Sequence, residues 1–483
     1  MREKKIIKNY VFHLIYQIVA VVVLLVSMPY VSRILGPDNV GIYSYTAANT
    51  SYFSLIAVLG LHWYGEREVA FSQNDIARRS RVFFQIMILK VILFLLACLG
   101  YFLYVKLSSN NITIRLLQGL TLLSVIFDVS WLYRGMENFR SVAICNSAMK
   151  LLSLLALFLF VKSENDLAIY IIIQGLSLIV GNIILWVYLP KMISIRYLKG
   201  VSLLRDIRVL AEMSIPGIAV QIYNVLDKTM LGVLKQNMTE NGYYEQVGKL
   251  VTILITMICS LCSVLAPNVA GAYSSGDTDY IKNMAYRAYR IVLFLASAAC
   301  FGAIAVADQF IPLFLGAEFT DASSLMTVYA FVLLIIPLSN VAGNIILTPI
   351  KRHNKGTLAV VLGALTNICL NLILIPRFSA MGAVVSTLVA EIVVTVVHLY
   401  YSRDYISIRN TLLDDLKYIV CGLGMLLVLC LLRYHFLDAI SLNVIFKLAI
   451  EIALGAGVYL GLSFMLTKGT MIKELKSLIK KEI

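Results

Sequence analysis

Hydrophobic residues run through this chain in long stretches, broken only by short polar, glycine or proline clusters. A helix needs about 20 mainly apolar residues to cross a bilayer. Such runs occur about 14 times, at 10–33, 40–62, 81–106, 112–133, 141–161, 167–189, 212–235, 244–271, 287–308, 324–348, 356–376, 381–402, 416–436 and 443–466. The pattern predicts an all-α integral membrane protein with about 14 transmembrane helices.

The connections between the predicted spans are all short, and the longest is a basic segment at 190–211. None has room for a soluble catalytic domain, so the chain is predicted not to be an enzyme. The first apolar run is longer than a signal-peptide core and lacks a small-residue cleavage site. We therefore expect it to remain as the first span.

Composition agrees with a membrane protein, because 60% of the 483 residues are hydrophobic, 14% are charged and the mean hydropathy is +0.85. Soluble domains carry about 25% charged residues. A net charge of +14 can indicate nucleic-acid binding, but beside many spans it indicates the bias that orients helices in a bilayer. We predict no nucleic-acid partner, no metal site and no cofactor.

Lysine and arginine lie mostly on one side of the predicted topology. The two termini and the even-numbered connections hold about 29 of the 41 basic residues. The opposite span ends hold about seven, namely Arg33, Lys106, Arg115, Lys162, Lys235, Arg377 and Arg433. Because positive loops stay in the cytoplasm, both termini are predicted to be cytoplasmic.

Two pairs of similar segments suggest an internal repeat. The first pair is RILGPDNVGIYSY at 33–45 and DKTMLGVLKQNMTENGYYEQV at 227–247, each with a cation before Leu-Gly and a Gly-x-Tyr after it. The second pair is WLYRGMENFR at 131–140 and LTPIKRHNK at 347–355. Repeats are typical of transporters, although such caps also recur at membrane interfaces.

The repeat predicts two pseudo-symmetric six-helix lobes followed by two further helices. We place an N-lobe with spans 1–6 at 1–200 and a C-lobe with spans 7–12 at 201–408. The last two spans and a basic cytoplasmic tail fall at 409–483.

Charged residues within apolar spans indicate function, because a charge at the bilayer centre costs about 3 kcal/mol. In IYNVLDKTMLG at 222–232, Lys228 shares a helix face with Gln221 and Asn224, and Asp227 lies at its edge. Similar polar stripes on other spans predict a water-filled cavity, since helix packing alone needs few polar groups.

Candidate site residues follow from these stripes. The predicted substrate-binding residues are Arg33, Tyr45, Asn49, Lys150, Gln221, Asn224, Lys228 and Lys249. The residues predicted to couple an ion or to gate are Asp128, Asp227 and Glu391. For Asp227 the alternative is that it only neutralises a nearby cation.

For other charged residues a structural role is at least as well supported. Four cations lie near span ends, where the role of an interfacial anchor is at least as well supported as that of a ligand, namely Arg33, Arg115, Arg134 and Lys235. Lys447 and Glu451, four residues apart in the last span, are predicted to form an internal ion pair.

Cations in a membrane cavity favour an anionic cargo, and lysine is a good partner for phosphate. Tyrosine and asparagine beside them can stack on sugars and hydrogen-bond to them. The residue types therefore fit a phosphate-linked, sugar-bearing lipid.

The segments RILGPDNVGIYSY, WLYRGMENFR and NVLDKTMLG, with the span count, resemble the polysaccharide-biosynthesis (Wzx-type) repeat-unit flippases. These belong to the multidrug/oligosaccharidyl-lipid/polysaccharide exporter superfamily. The resemblance implies two six-span lobes in alternating access. It implies a cargo of undecaprenyl-diphosphate-linked oligosaccharide for capsule, O-antigen or exopolysaccharide export. Within it, Arg33 and Lys228 carry over as cavity cations.

The expected setting is a bacterial cytoplasmic membrane, with a monomeric protein that contacts lipid and the lipid-linked oligosaccharide. A polymerase or glycosyltransferase is a further candidate partner, and coupling to an H⁺ or Na⁺ gradient is open. A multidrug/cation antiporter of the same superfamily is the main alternative, although it would favour acidic cavity residues. A polysaccharide polymerase is the second, and a scaffolding membrane protein the third.

Overall fold

The computed structural model describes residues 2–108, 110–198, 207–263, 265–406, 408–437 and 443–467. The described residues are almost entirely helical and contain no strand. Ten of their helices are long and apolar enough to cross a membrane. The chain is therefore a multi-pass, all-α membrane protein. The predicted basic tail beyond Thr467 lies outside the described residues.

Contacts between Cα atoms divide the chain into two compact units. Unit 1 comprises Met1–Gly232 and Asn237–Gly242, and unit 2 comprises Val233–Gln236 and Tyr243–Ile483. The first eight helices are α1 (Arg2–Val58), α2 (Leu61–Phe71), α3 (Ile76–Leu107), α4 (Ile112–Phe127), α5 (Ser130–Gly135), α6 (Phe139–Phe160), α7 (Leu167–Trp186) and α8 (Ile207–Leu234). The later helices are α9 (Met238–Ser263), α10 (Ala266–Ser275), α11 (Thr278–Leu315), α12 (Ala322–Tyr329), α13 (Val332–Asn340), α14 (His353–Ser402), α15 (Ile408–Leu432) and α16 (Val444–Thr467).

Two very long helices each cover two predicted spans. Helix α1 has 57 residues and leaves helical geometry at Gly36, where φ is 71° and ψ is 170°. Pro37 follows, and proline cannot donate a helical hydrogen bond. Helix α14 has 50 residues and leaves helical geometry at Ser379, three residues after Pro376. These breaks separate spans 1 and 2 and spans 11 and 12, while the total of 14 spans remains a prediction.

Helix α4 ends earlier than the predicted fourth span. The chain leaves helical geometry at Asp128 and resumes in the short helix α5. Asp128 Oδ1 accepts a hydrogen bond from the Ser130 N–H at 2.8 Å, so this carboxylate stabilises the break. Behind it, Trp131 and Tyr133 are fully buried in the core of unit 1.

The first glycines of the two Gly-x-Tyr motifs, Gly41 and Gly242, meet within unit 1. A Cβ on Gly41 would lie 1.7 Å from the Met238 carbonyl oxygen, and one on Gly242 would lie 2.0 Å from the Pro37 carbonyl oxygen. Only glycine allows two backbones to approach this closely. The glycines that suggested a repeat in the sequence are thus the residues that let α9 begin against α1.

In unit 2, the ion pair predicted between Lys447 and Glu451 is wrong. Glu451 is 1% exposed, and its carboxylate binds Arg433 instead, at 3.0 Å from Nε and 2.8 Å from Nη2. Gln309 Nε2 donates to the same carboxylate at 3.2 Å. Arginine offers two parallel donors where lysine offers a point charge, which favours the Arg433 pairing. It fixes α16 to α11 and to the helical turn that follows α15.

Candidate functional site

The stretch that places Asp227 and Lys228 side by side lies in α8, within unit 1. Asp227 is buried and Lys228 half-buried, and both make further interactions with their surroundings. The Lys228 carbonyl accepts a hydrogen bond from Asn241 Nδ2 at 2.8 Å. Gln221 and Asn224, predicted on the same face as Lys228, are both exposed. The predicted face therefore changes from exposed to half-buried along α8.

Next to α8, the second half of α1 brings Tyr45 and Asn49 beside Arg115. The Arg115 guanidinium carbon lies 5.5 Å from the ring centre of Tyr45 and 4.9 Å from that of Tyr104. Helix α8 also packs against the Tyr45 ring, because a Cβ on Gly232 would lie 2.2 Å from Tyr45 Cδ2. We call Arg115, Tyr45, Tyr104 and Asn49 the arginine–tyrosine cluster. All four residues belong to unit 1.

Arg115 is deeply buried, with 8% of its surface exposed. Its Nε donates to the Asn110 carbonyl at 3.0 Å, and its Nη1 donates to the Tyr104 hydroxyl. The rings of Tyr45 and Tyr104 add cation–π attraction. Among the described residues, none of these partners is a carboxylate. The cluster therefore keeps a full positive charge in an apolar surrounding.

Neighbouring polar groups hold the cluster in place. The Tyr101 hydroxyl donates to the Arg115 carbonyl and lies 3.1 Å from Thr50 Oγ1, which ties α3 to both α4 and α1. Asn49 is 7% exposed and lies beside the Tyr104 hydroxyl. Its Nδ2 is buried without a hydrogen-bond partner among the described residues. A buried donor of this kind costs stability unless a ligand or water satisfies it.

Lys249 lies in unit 2 and is neutralised locally. Its Nζ is 2.9 Å from Glu245 Oε1, one helical turn earlier in α9, and it makes further interactions. Glu245 is buried, whereas about a quarter of the Lys249 side chain is exposed. The predicted polar stripe of α9 thus carries no net charge at this turn.

The two other predicted cations are less enclosed. Arg33 is exposed and lies one turn before the α1 break at Gly36, where it makes further interactions. Lys150 is half-buried in α6. The structure therefore does not bring all the predicted cations into one cluster within either unit.

The predicted coupling residues have different surroundings. The Asp128 carboxylate stabilises the break after α4, and its carbonyl accepts a hydrogen bond from the buried Lys90 Nζ at 2.6 Å. Glu391 is buried in α14 of unit 2, and its carbonyl accepts from Thr395 Oγ1 at 2.7 Å. Two turns on, His398 Nδ1 lies 2.8 Å from Ser339 Oγ. Asp128 therefore has a clear structural role, while Glu391 belongs to a buried polar stripe.

Groups of three or more histidine, cysteine or acidic side chains that could hold a metal ion are absent from the described residues.

Comparison with known proteins identifies the family. Residues 6–272, more than half of the chain, match the family described as polysaccharide biosynthesis protein. The chain belongs to this family. A probable low-salt glycan biosynthesis flippase, Agl15 of Haloferax volcanii, is 25% identical over 39% of this chain and 39% of its own length. A putative O-antigen transporter of Escherichia coli K12 is 21% identical over 79% of this chain and 92% of its own length.

Solved structures show the same fold. The lipid II flippase MurJ, in an inward closed conformation, has a TM-score of 0.68 with 19% identity, over 92% of this chain and 99% of its own. An inward-facing multidrug resistance MATE transporter of the MOP superfamily has a TM-score of 0.64 with 12% identity, over 79% of this chain and 94% of its own. This polysaccharide biosynthesis protein therefore has a transporter fold that flippases and drug transporters share.

From the sequence, Arg115 could be either an interfacial anchor or a ligand. Its position at a predicted span end suggested snorkelling, in which the charged head reaches water. The structure turns it onto Tyr104 instead, across the connection between α3 and α4. The remaining signal was the pair of tyrosines, Tyr101 and Tyr104, one turn apart near the end of the preceding span.

Proposed function

We propose that this protein is a flippase for undecaprenyl-diphosphate-linked oligosaccharide repeat units, serving capsule, O-antigen or exopolysaccharide export. It would receive the lipid at the cytoplasmic face and release it outside by alternating access. Family membership supports this proposal, as do a putative O-antigen transporter and a probable glycan flippase among its relatives. The observation that carries it is a buried arginine, Arg115, whose hydrogen-bond and ring partners among the described residues are all neutral, in a multi-pass membrane protein.

An uncompensated buried cation favours transport of an anion. Keeping the Arg115 charge away from water costs free energy, and an anionic ligand offsets that cost on binding. The surrounding tyrosines and the unpartnered Asn49 amide suit a sugar, which offers both flat apolar faces and hydroxyls. A substrate carrying both phosphate and sugar satisfies both requirements.

The predicted residues take distinct roles in this proposal. Lys228 and Arg33 would contact the diphosphate, with Lys150 and Lys249 as further phosphate ligands. Tyr45, Asn49, Gln221 and Asn224 would contact the sugar or line its path. Glu391, Asp227 or Asp128 would respond to H⁺ or Na⁺ if transport is coupled to a gradient.

The topology completes the proposal. Both termini would face the cytoplasm of a bacterium, because the basic connections lie on that side. Lobes at 1–200 and 201–408 would alternate in access, and the last two spans with the basic tail at 409–483 would flank them. The protein would act as a monomer, without catalysing a reaction, and would receive cargo from glycosyltransferases or deliver it to a polymerase.

The main rival is a multidrug/cation antiporter, because the fold is shared with MATE transporters. A site for cationic drugs needs acidic groups at its centre. In the arginine–tyrosine cluster the charged centre is Arg115, and none of its partners among the described residues is acidic. The residue chemistry thus favours an anionic cargo.

A deletion strain of the source organism tests the proposed function. Radiolabelled undecaprenyl-diphosphate-linked oligosaccharide should accumulate in its inner leaflet, because synthesis continues while export stops. Expression of the wild-type chain should restore export, and Lys228→Ala should restore it poorly. Drug sensitivity without lipid accumulation would instead indicate the antiporter. A deletion strain that shows no lipid accumulation and no drug sensitivity would refute a transport role in polysaccharide export.

A further inference from the structure

The arginine–tyrosine cluster carries a single charge. Its one ionised group is the Arg115 guanidinium, whose Nη2 has no hydrogen-bond partner among the described residues. The other members are two phenols and the Asn49 amide, whose buried Nδ2 is also unpartnered. Two unused donors, one charged and one neutral, therefore lie in one cluster of unit 1.

The surroundings of Arg115 are aromatic on several sides. Beyond the two tyrosines of the cluster, Phe53 packs on Tyr104 and Tyr101, with ring centres 5.6 Å and 5.2 Å apart. Gln118, buried on the same helix as Arg115, contacts Thr46 Oγ1 at 3.4 Å. Phenol rings beside amide groups can contact the face and the hydroxyls of a sugar.

We propose that this cluster binds the carboxylate of an acidic sugar in the transported oligosaccharide. This inference rests on the proposed function and deepens it, because it names a chemical feature of the cargo. Arg115 Nη2 and Asn49 Nδ2 would both donate to the carboxylate, and the tyrosines would contact the sugar ring.

Charge balance favours a carboxylate over the diphosphate at this place. One guanidinium with neutral partners matches a monoanion, whereas a diphosphate carries at least two charges and would leave an uncompensated negative charge in an apolar surrounding. The planar guanidinium matches the geometry of carboxylates and phosphates alike, so the charge balance decides between them. The diphosphate would bind elsewhere in the protein. The cluster would select among cargoes that all carry a diphosphate but differ in their sugars.

Binding to two matched probes tests the proposal. Purified full-length protein in detergent is titrated with undecaprenyl-diphosphate disaccharides that end in glucuronic acid or in glucose. The wild type should bind the acidic probe about tenfold to a hundredfold more tightly, as expected for a charge-assisted hydrogen bond. Arg115→Gln should remove that preference while keeping the affinity for the neutral probe. The control variant is Lys106→Gln, which removes an exposed cation at the end of α3 that carries Tyr104. It should leave the preference unchanged.

Other outcomes separate this inference from the proposed function. Equal wild-type affinity for both probes would overturn the acidic-sugar assignment while leaving a lipid-linked cargo intact. If Arg115→Gln loses the same affinity for both probes and keeps its melting temperature, the diphosphate binds at this cluster, and the acidic-sugar assignment is overturned. If Arg115→Gln does not fold, the Asn49→Leu variant is tested in its place. It should weaken the binding of the acidic probe and leave the binding of the neutral probe unchanged. Failure of the wild type to bind either probe would refute the proposed function itself.

Discussion

Arg115 and Arg433 look alike in the sequence and differ in the structure. Both arginines lie at predicted span ends on the side with few basic residues. Arg115, in unit 1, is 8% exposed and is bound by a carbonyl, a hydroxyl and two aromatic rings. Arg433, in unit 2, has a side chain that is 22% exposed and donates two hydrogen bonds to Glu451. Its Nη1 also lies 3.7 Å from Asp308 Oδ2. One charge is stacked and uncompensated, whereas the other is neutralised.

This difference extends to other cations of unit 2. Arg290 Nε lies 3.2 Å from the buried Asp415, and Lys249 pairs with Glu245. A neutralised cation fixes helices together but has little charge left for a ligand. Under the proposed function, we therefore expect the cations of unit 1 to contribute most to binding an anionic cargo, and Lys249 of unit 2 to contribute less.

The largest expected effect is on stability in unit 2. Arg433→Met should lower the free energy of unfolding by about 3–5 kcal/mol, because it leaves Glu451 charged, buried and unpaired. Arg115→Met should lower it less, by about 1–2 kcal/mol, since it removes two hydrogen bonds to neutral groups but leaves no partner carboxylate unpaired. Thermal melting in detergent measures both. Replacing Arg433 and Glu451 together by methionine should recover most of the loss, and similar melting of the two single variants would contradict the comparison.

A methyl group behind Tyr45 should perturb the arginine–tyrosine cluster. Gly232→Ala places a Cβ 2.2 Å from Tyr45 Cδ2, so the ring must shift and its contact with Arg115 must change. We expect a loss of about 1–3 kcal/mol, as for other overpacked sites, together with weaker cargo binding. Gly271→Ala is the control, because a Cβ added there would meet no atom within 4 Å. Unchanged melting and binding in Gly232→Ala would show that Tyr45 is not held there.

Removal of one hydroxyl should have a smaller effect. Tyr104→Phe keeps the ring under Arg115 but deletes the acceptor of its Nη1. The expected loss is about 1 kcal/mol, the usual cost of an unmade hydrogen bond. Calorimetry of the detergent-solubilised protein measures it. A gain in stability would mean that the hydroxyl does not serve Arg115.

The smallest expected effect is at Lys249. Lys249→Met removes an ion pair one turn apart on a helix, and we expect a loss of about 0.3–0.5 kcal/mol, because Lys249 is partly exposed and Glu245 makes further interactions. Transport should fall less than in Lys228→Met, because Glu245 already neutralises Lys249. Flipping assays on the two variants, reconstituted in parallel, provide the measurement. A greater loss in Lys249→Met would assign unit 2 a direct role in cargo binding.

The hydrophobic runs predicted the helical class well, because burial in lipid requires long apolar helices whatever the tertiary contacts. They did not predict how helices break. Spans 1 and 2 lie in one helix with a break at Gly36, and the predicted span at 324–348 contains α12, α13 and a π-helical turn at Val341–Leu347. Such breaks depend on local backbone geometry and neighbouring side chains, which hydropathy does not record.

The site was predictable only in part. Tyr45 and Asn49 were candidates from their spacing, and both lie beside a buried cation. That cation is Arg115, which was not among the predicted binding residues. The turn between α3 and α4 brings it onto Tyr104. Likewise, Lys447 lost the predicted pairing because Arg433, distant in sequence, reaches Glu451 with better geometry. Spacing along one helix identifies polar faces, whereas the partner of each charge is set by contacts between helices.

We propose that the buried Arg115 of unit 1, whose partners among the described residues are neutral, binds the anionic cargo during translocation. The rate at which full-length protein in proteoliposomes translocates an undecaprenyl-diphosphate-linked oligosaccharide ending in glucuronic acid tests this directly. Arg115→Gln should slow translocation by about tenfold or more, while Lys106→Gln, assayed at equal protein density, keeps the wild-type rate. Equal rates for Arg115→Gln and the wild type would contradict the account.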